Sequence, residues 1–341
     1  MLTKRHNAPV NSLISILMPV KNEEAYLEEC LNSIINQSVK DWELVVVNDH
    51  STDSTDDILR EYIAKDARIR VFKNVGHGII PALKLAFQES RGEYITRMDG
   101  DDVMLPNKLE ILRSTLLENG EGYLSVGGVR YFSEGKVGNG YLQYERWLNN
   151  LTFTGLNFSE IYKECVIPSP SWMLSCTDFE KCGGFNSDQY PEDYDLCFRM
   201  YKSGLKVIPS NEVVHLWRDY PERSSRNLPE YSDNSFLQMK LDHFLNIDYD
   251  EAKELVLWGA GKKGKKMTAL LKEMNISFRW ICNNQRKVGK EILGVLMEPV
   301  EILKNNTPKQ VIILVANKDE QIEIRTQFSK VSEQTELFFF C

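Results

Sequence analysis

The 341-residue chain is 42% hydrophobic and 26% charged, so it can bury sizeable cores in one to three domains. Its formal net charge of −8 argues against a nucleic-acid partner, which calls for a basic footprint. No apolar run approaches the roughly 20 residues that span a bilayer, and no signal-peptide core follows Lys4 and Arg5. The seven cysteines, odd in number and without a C-x-x-C pair, predict free thiols in a cytoplasmic setting and no zinc site.

Residues 15–18 form a short apolar run closed by Pro19. Residues 23–36 carry helical spacing, with Tyr26, Leu27, Cys30, Leu31, Ile34 and Ile35 on one face. A β-branched-rich run at 43–47 follows, then a helix over 54–64 with Asp53 as its N-cap. A strand at 68–72, a helix at 78–89 and a strand at 93–98 continue the alternation. Non-alternating strands between helices predict an α/β fold with a parallel sheet covered on both faces. Such sheets bind ligands at the carboxyl ends of their strands. The loops after Met18, Val47 and Met98 are therefore the places to look for chemistry.

Beyond residue 102 the pattern predicts a helix over 105–118, a strand over 123–132 and an irregular stretch over 133–170. A further helix starts near Asp193 and stops before Gly204, with Cys197, Met200 and Tyr201 facing inward. Residues 232–250 read as a helix plus linker. A new α/β pattern then opens: strands at 254–258, 278–282 and 311–315, and helices at 265–274 and 319–329. The expected organisation is a tail at 1–12, a first domain at 13–231, a helical linker at 232–251 and a small second domain at 252–341.

Three acidic motifs carry chemistry. Asp99-Gly100-Asp101-Asp102 follows a strand directly, so its carboxylates crowd and repel. A Mg²⁺ or Mn²⁺ ion relieves that repulsion and takes phosphate oxygens as well; an acidic turn capping the next helix is the alternative. Asn48-Asp49-His50-Ser51-Thr52-Asp53 offers an acceptor for a base N–H or a ribose hydroxyl, or an Asx-turn with a cap. Glu192-Asp193 opens a helix, whose dipole favours carboxylates there, and also suits a general base.

These motifs, with Ile16-Leu17-Met18-Pro19-Val20-Lys21-Asn22-Glu23 and Gly92-Glu93-Tyr94-Ile95, stand in one order and at one spacing over residues 13–226. Together they resemble the family 2 glycosyltransferases, inverting enzymes of the GT-A fold. The resemblance implies a nucleotide-sugar pocket of Pro19, Val20, Glu23, Asp49, Asp99, Gly100 and Asp101, with Asp101 and Asp99 holding Mn²⁺ or Mg²⁺. It implies Asp193 as catalytic base, supported by Glu192. The implied donor is a nucleoside-diphosphate sugar, with a UDP-sugar favoured. The implied acceptor is a saccharide or lipid-linked saccharide in cell-surface polysaccharide synthesis, which admits peripheral contact with the inner face of the membrane. Lys21 stands where an aromatic often occurs in the family, Tyr220 where a histidine does, and Lys84 where an asparagine does. Residues 217–226, with Arg218, Arg223 and Arg226, resemble the segment that closes the catalytic domain in a subgroup of the family, near the diphosphate.

Among the aromatics of residues 141–173, Trp172 is the candidate acceptor contact. In the second domain Gly259-x-Gly261-x-x-Gly264 stands between a strand and a helix, as a dinucleotide fingerprint requires. The acidic residue expected about 20 positions later is missing, since Cys282-Asn283-Asn284 stands there. The segment resembles the small Rossmann-like modules of some sugar-pathway enzymes. Gly259, Gly261 and Gly264 mark a candidate second ligand site; a tight turn with solvated lysines is the alternative. A nucleotide-dependent oxidoreductase and a non-catalytic nucleotide-sugar binder are the rival functions.

Overall fold

The computed structural model describes residues 12–227, 236–328 and 335–341. The chain divides into two compact units, one running to Ser159 and resuming over Cys165–Arg223, the other made of Glu160–Glu164 and Ser224–Cys341.

The first unit contains strands β1 (Ile14–Val20), β2 (Trp42–Asn48), β3 (Ile69–Lys73), β4 (Tyr94–Arg97), β5 (Val103–Met104), β6 (Tyr123–Val126), β7 (Gly128–Phe132), β8 (Trp172–Ser175), β9 (Lys206–Ile208) and β10 (Val213–Arg218). Its helices are α1 (Leu27–Ile35), α2 (Thr55–Lys65), α3 (Ile79–Gln88), α4 (Lys108–Asn119), α5 (Asn139–Thr154), α6 (Cys176–Lys181) and α7 (Glu192–Lys202). Among the described residues the main sheet has the order β3-β2-β1-β4-β8-β6-β9. β1 runs parallel to β2 and β4, and β2 to β3, whereas β8 is antiparallel to both β4 and β6. Every residue of β2 is buried, as its continuous β-branched run predicts. Ile14, Ile16 and Met18 pack with Leu27, Leu31 and Ile34 of α1 in one core. Each such aliphatic side chain contributes roughly 1.5–3 kcal/mol by leaving water.

Three expectations need correction. Pro19 does not close the first strand, which continues to Val20 and pairs with Asn48. The run over 123–132 is two strands in different sheets, because the chain leaves the main sheet at Gly127 and β7 pairs with β10. The stretch over 133–170 is not wholly irregular: α5 occupies sixteen residues of it and ends at Gly155 in the left-handed conformation. Its mixed polar and aromatic face hid the helical period.

The second unit contains a short helix α8 (Ser224–Asn227), α9 (Leu237–Ile247), α10 (Lys262–Glu273) and α11 (Lys318–Phe328). Its strands are β11 (Glu254–Trp258), β12 (Arg279–Ile281), β13 (Glu291–Ile292), β14 (Val295–Glu298), β15 (Lys309–Ile313) and β16 (Thr335–Phe339). The sheet order is β13-β14-β12-β11-β15-β16, parallel except where β13 turns back on β14. α9, which the sequence placed in a linker, packs Phe244 against Phe338 inside this unit. Residues 228–235 of the expected boundary region lie outside the described residues. Gly264, in the first turn of α10, lies so close to the Gly259 carbonyl that a side-chain carbon there would overlap it. No described helix is long and apolar enough to cross a membrane.

Candidate active site

Parallel pairing sets the carboxyl ends of β2, β1 and β4 side by side. The Asp49 amide donates to the Val20 carbonyl at 2.8 Å, and the Met98 amide to the Leu17 carbonyl at 3.0 Å. The loops that follow are stapled together. The Glu23 amide donates to Thr55 Oγ1 at 2.8 Å, the Glu24 amide to Asp53 Oδ2 at 3.1 Å, and the Thr52 amide to Asn22 Oδ1 at 2.8 Å. Asp53 accepts the Thr55 amide at 3.1 Å as well, so it ties two loops together, but the N-cap of α2 is Ser54 and not Asp53 as expected.

Asp49 is buried, with Asn74 Nδ2 donating to Oδ1 at 2.6 Å and the Gly78 amide to both oxygens at 3.0 Å. Burial pushes its carboxyl up, but the bonds from Asn74 and Gly78 and the Lys21 charge outweigh that and hold it below the ordinary range.

Gly100 brings the acidic loop against β1 and the loop after it. A side-chain carbon at this position would stand 3.1 Å from Val20 Cγ1 and 3.2 Å from Glu23 Cγ, too close without movement. Val20, Glu23, Gly100 and the acidic loop thus share one place, with Pro19 beside them on β1. Burial raises the Glu23 carboxyl to about 9, with the Asp101, Asp99 and Asp102 charges adding to it. Burial and the Asp102 and Asp99 charges push Asp101 to about 7. Buried and crowded, these two carboxyls keep their protons well above the ordinary range.

The three aspartates have different partners. Asp99 Oδ1 accepts from Arg97 Nε at 3.1 Å and Nη2 at 2.9 Å. Asp101 Oδ2 accepts from the Tyr220 hydroxyl at 3.0 Å, and the Asp101 carbonyl accepts from Arg218 Nε at 2.7 Å. Asp102 is fully buried, with Oδ2 2.9 Å from His215 Nε2 and Oδ1 accepting the Arg218 amide at 2.8 Å. His215 Nδ1 lies 3.3 Å from Lys108 Nζ, which also donates to the Pro170 carbonyl. The Lys108–His215–Asp102 chain is sealed from solvent and anchors the acidic loop from behind. Arg218 clamps the same loop, its guanidinium lying 4.4 Å from the ring centres of both Tyr26 and Phe132. Arg223, the next arginine of the closing segment, lies over the Trp217 ring.

Arg97 was missed by sequence reasoning, since it sits in an apolar strand next to a more conspicuous motif. It is 5% exposed, and its Nη1 donates to Glu192 Oε1 at 2.8 Å. One guanidinium therefore binds Asp99 at the end of β4 and Glu192 at the start of α7. The only signal in the sequence was a lone charge in a strand otherwise reading as buried. Asp193 adjoins this bridge, half-buried, with Oδ1 accepting the Tyr194 amide at 2.8 Å. Burial and the Glu192 charge push its carboxyl up to about 7, against the pull of Arg97.

Trp172 needs correction as an acceptor contact. It is 2% exposed and one of its faces stacks on Phe179, so almost none of the ring is open to solvent. It instead lines a small cavity with Arg97, Phe185 and Asp193. Gly259, Gly261 and Gly264 belong to the second unit, where the Trp280 Nε1–H donates to the Gly259 carbonyl at 2.8 Å and Lys287 Nζ to the Ala260 carbonyl at 2.8 Å.

Residues 15–183 match the model of the family described as Glycosyl transferase family 2. A Haemophilus influenzae protein described as an uncharacterized glycosyltransferase is 30% identical over 286 residues, covering 78% of this chain and 86% of that protein. The chain belongs to glycosyl transferase family 2. Glycosyltransferase GlyA of Streptococcus pneumoniae is 30% identical over 219 residues, 61% of this chain and 31% of GlyA. Across GlyA and three further curated relatives, the chain spans 23% to 62% of the relative's length. Residues 1–349 of S. aureus TarS, in complex with UDP-GlcNAc, superpose with a TM-score of 0.53 at 19% identity, covering 76% of this chain and 71% of that one. At that identity the likeness shows the fold, GT-A, and the mixed sheet of this family 2 member agrees with it.

Proposed function

We propose that the chain is an inverting glycosyltransferase that moves a sugar from a nucleoside-diphosphate donor, a UDP-sugar, to a hydroxyl of a saccharide or lipid-linked saccharide acceptor. Cell-surface polysaccharide assembly at the inner face of the membrane is the setting we propose with it. The observation that carries the reading is the Arg97 bridge, which ties the donor-side Asp99 to the helix bearing Asp193. The UDP-GlcNAc held by TarS, which shares the fold, supports the choice of uridine.

A divalent cation fits the acidic loop. The donor set is carboxylate oxygen, which suits Mg²⁺ and Mn²⁺. Burial, with the charges of the neighbouring aspartates, keeps Glu23 and Asp101 protonated above the ordinary range, a state that a cation relieves. Asp101 and Asp99 are the residues that would hold it, and it would offset the charge developing on the leaving diphosphate.

The protein's own groups supply the rest. Asp49 accepts from the base, and Val20 and Gly100 shape the wall around it. Glu192, neutralised by Arg97, fixes the first turn of α7. Asp193 takes the acceptor hydroxyl's proton while that oxygen attacks the anomeric carbon from the face opposite the diphosphate, which inverts the centre. For the second unit we propose a small Rossmann-like module, on the support of its parallel order β14-β12-β11-β15-β16 and the glycine turn after β11.

Thermal unfolding against UDP, GDP, dTDP and NAD⁺, with and without Mn²⁺, tests the reading on wild type and Asp101→Ala. A ligand at 100 times its Kd adds about 2.7 kcal/mol, a shift of several degrees. A UDP shift that needs Mn²⁺ and vanishes in Asp101→Ala is expected. A shift with NAD⁺ alone, unchanged by the substitution, would move the function to the second unit.

A further inference from the structure

Apart from the acidic loop, one group of metal-type side chains stands out among the described residues: Asp49, His50 and His77. One donor atom from each lies within 4.8 Å of the other two. The two imidazoles are exposed and stacked, with ring centres 4.4 Å apart and planes at 27°.

His50 is held in an unusual way. Its φ is +57°, a left-handed conformation that glycine adopts without steric cost. Its Nε2 lies 2.8 Å from the Gly76 carbonyl. A carbonyl only accepts, so Nε2 carries the hydrogen and Nδ1 carries the free lone pair. One ring nitrogen donating to a backbone carbonyl while the other faces a metal is the usual support of a ligating histidine. Asp49 is oriented by Asn74 Nδ2 and the Gly78 amide, which donate to it, and its pairing with Lys21 at 3.4 Å is to a 58% exposed lysine that can swing away.

We propose that Asp49, His50 through Nδ1, and His77 bind a divalent cation of the zinc, cobalt or nickel class. Imidazole favours these ions, whereas the all-carboxylate acidic loop favours Mg²⁺ or Mn²⁺, so the two sites select different metals. Zn–N bonds of about 2.0–2.1 Å require the donors to draw closer together, which the exposed His77 can do by side-chain rotation while His50 stays on the Gly76 carbonyl. Three protein ligands leave a fourth position open. If the proposed function holds, Asp49 also receives the nucleobase, so the cation and the nucleoside diphosphate exclude one another.

The test is a Co²⁺ titration of the full chain in excess Mg²⁺, following the visible absorption of imidazole-ligated, four-coordinate cobalt. Wild type, His50→Gly, His77→Gln and Asp101→Asn are compared. His50→Gly relaxes the backbone and His77 is exposed, so both variants keep the fold, as their melting curves will show. One equivalent is expected in wild type and in Asp101→Asn, displaceable by Zn²⁺, with at least tenfold weaker binding in each histidine variant. Absence of such bands in wild type, or bands indifferent to both histidine substitutions, would overturn the site. UDP is expected to weaken cobalt binding. If it does not while the histidine dependence holds, the assignment of Asp49 to the base falls and the metal site stands.

Discussion

Arg97 Nη1 lies 2.8 Å from Glu192 Oε1, and both side chains are less than a tenth exposed. The two residues are 95 positions apart and come from β4 and α7. Breaking a buried pair by removing one partner typically costs about 3–5 kcal/mol, because the other charge is stranded. Arg97→Met is therefore expected to lower stability by about that amount, read by urea denaturation. Arg97→Met combined with Glu192→Gln removes the stranded charge and recovers part of the loss. A double variant no more stable than Arg97→Met would show that the pair is not coupled.

Asp193→Asn keeps the shape of the side chain and removes the base. Turnover is expected to fall about 10²–10⁴-fold with donor affinity unchanged. Because the Asp193 carboxyl is pushed up to about 7, wild-type turnover rises with pH through that value as the base loses its proton. The pH–rate profile of Asp193→Asn lacks this rise. Wild-type turnover in the variant at saturating donor and acceptor would remove Asp193 from the mechanism.

The acidic loop should make the metal-free protein sensitive to alkali. The unfolded chain releases carboxyl protons near a pKa of about 4. The folded chain keeps those of Asp101 to about 7 and of Glu23 to about 9. Between these limits the folded state binds more protons, so stability is greatest at the acid end and is lost as pH rises through 7 to 9. Melting temperatures in a chelator are expected to fall from about pH 5 to about pH 9, and Mn²⁺ at about pH 8 to raise them by several degrees. Asp101→Asn flattens the dependence. A melting temperature that climbs with pH over this window would contradict the crowding.

Gly264→Ala addresses the second unit. The added carbon would run into the Gly259 carbonyl, which is backbone and already accepts from Trp280 Nε1. Overpacking of this kind costs about 1–3 kcal/mol or more. A lower melting temperature is expected, whereas Gly261→Ala, with open space around it, keeps the wild-type value within the strand–helix turn. Equal behaviour of the two variants would show that the turn is loose enough to take a side chain at either glycine.

The sequence by itself determined the strand–helix alternation of residues 14–97 and the chemical type of the acidic loop. β2 reads as a parallel strand because burial on both faces favours an apolar run such as Leu44–Val47, and Asp99-Gly100-Asp101-Asp102 announces its charge directly. Motif order also sufficed for the family. Tertiary structure alone decided which acids face which partners. Asp101 and Asp102 are neighbours in the chain, yet one accepts from Tyr220 and the other is sealed against His215, more than a hundred residues away. Arg97 becomes the bridge to Glu192 only when β4 and α7 meet, and Trp172 loses its claim on a sugar only when Phe179 covers it. Local propensity is a property of a few consecutive residues, whereas burial and charge pairing depend on segments far apart in the chain, which only packing brings together.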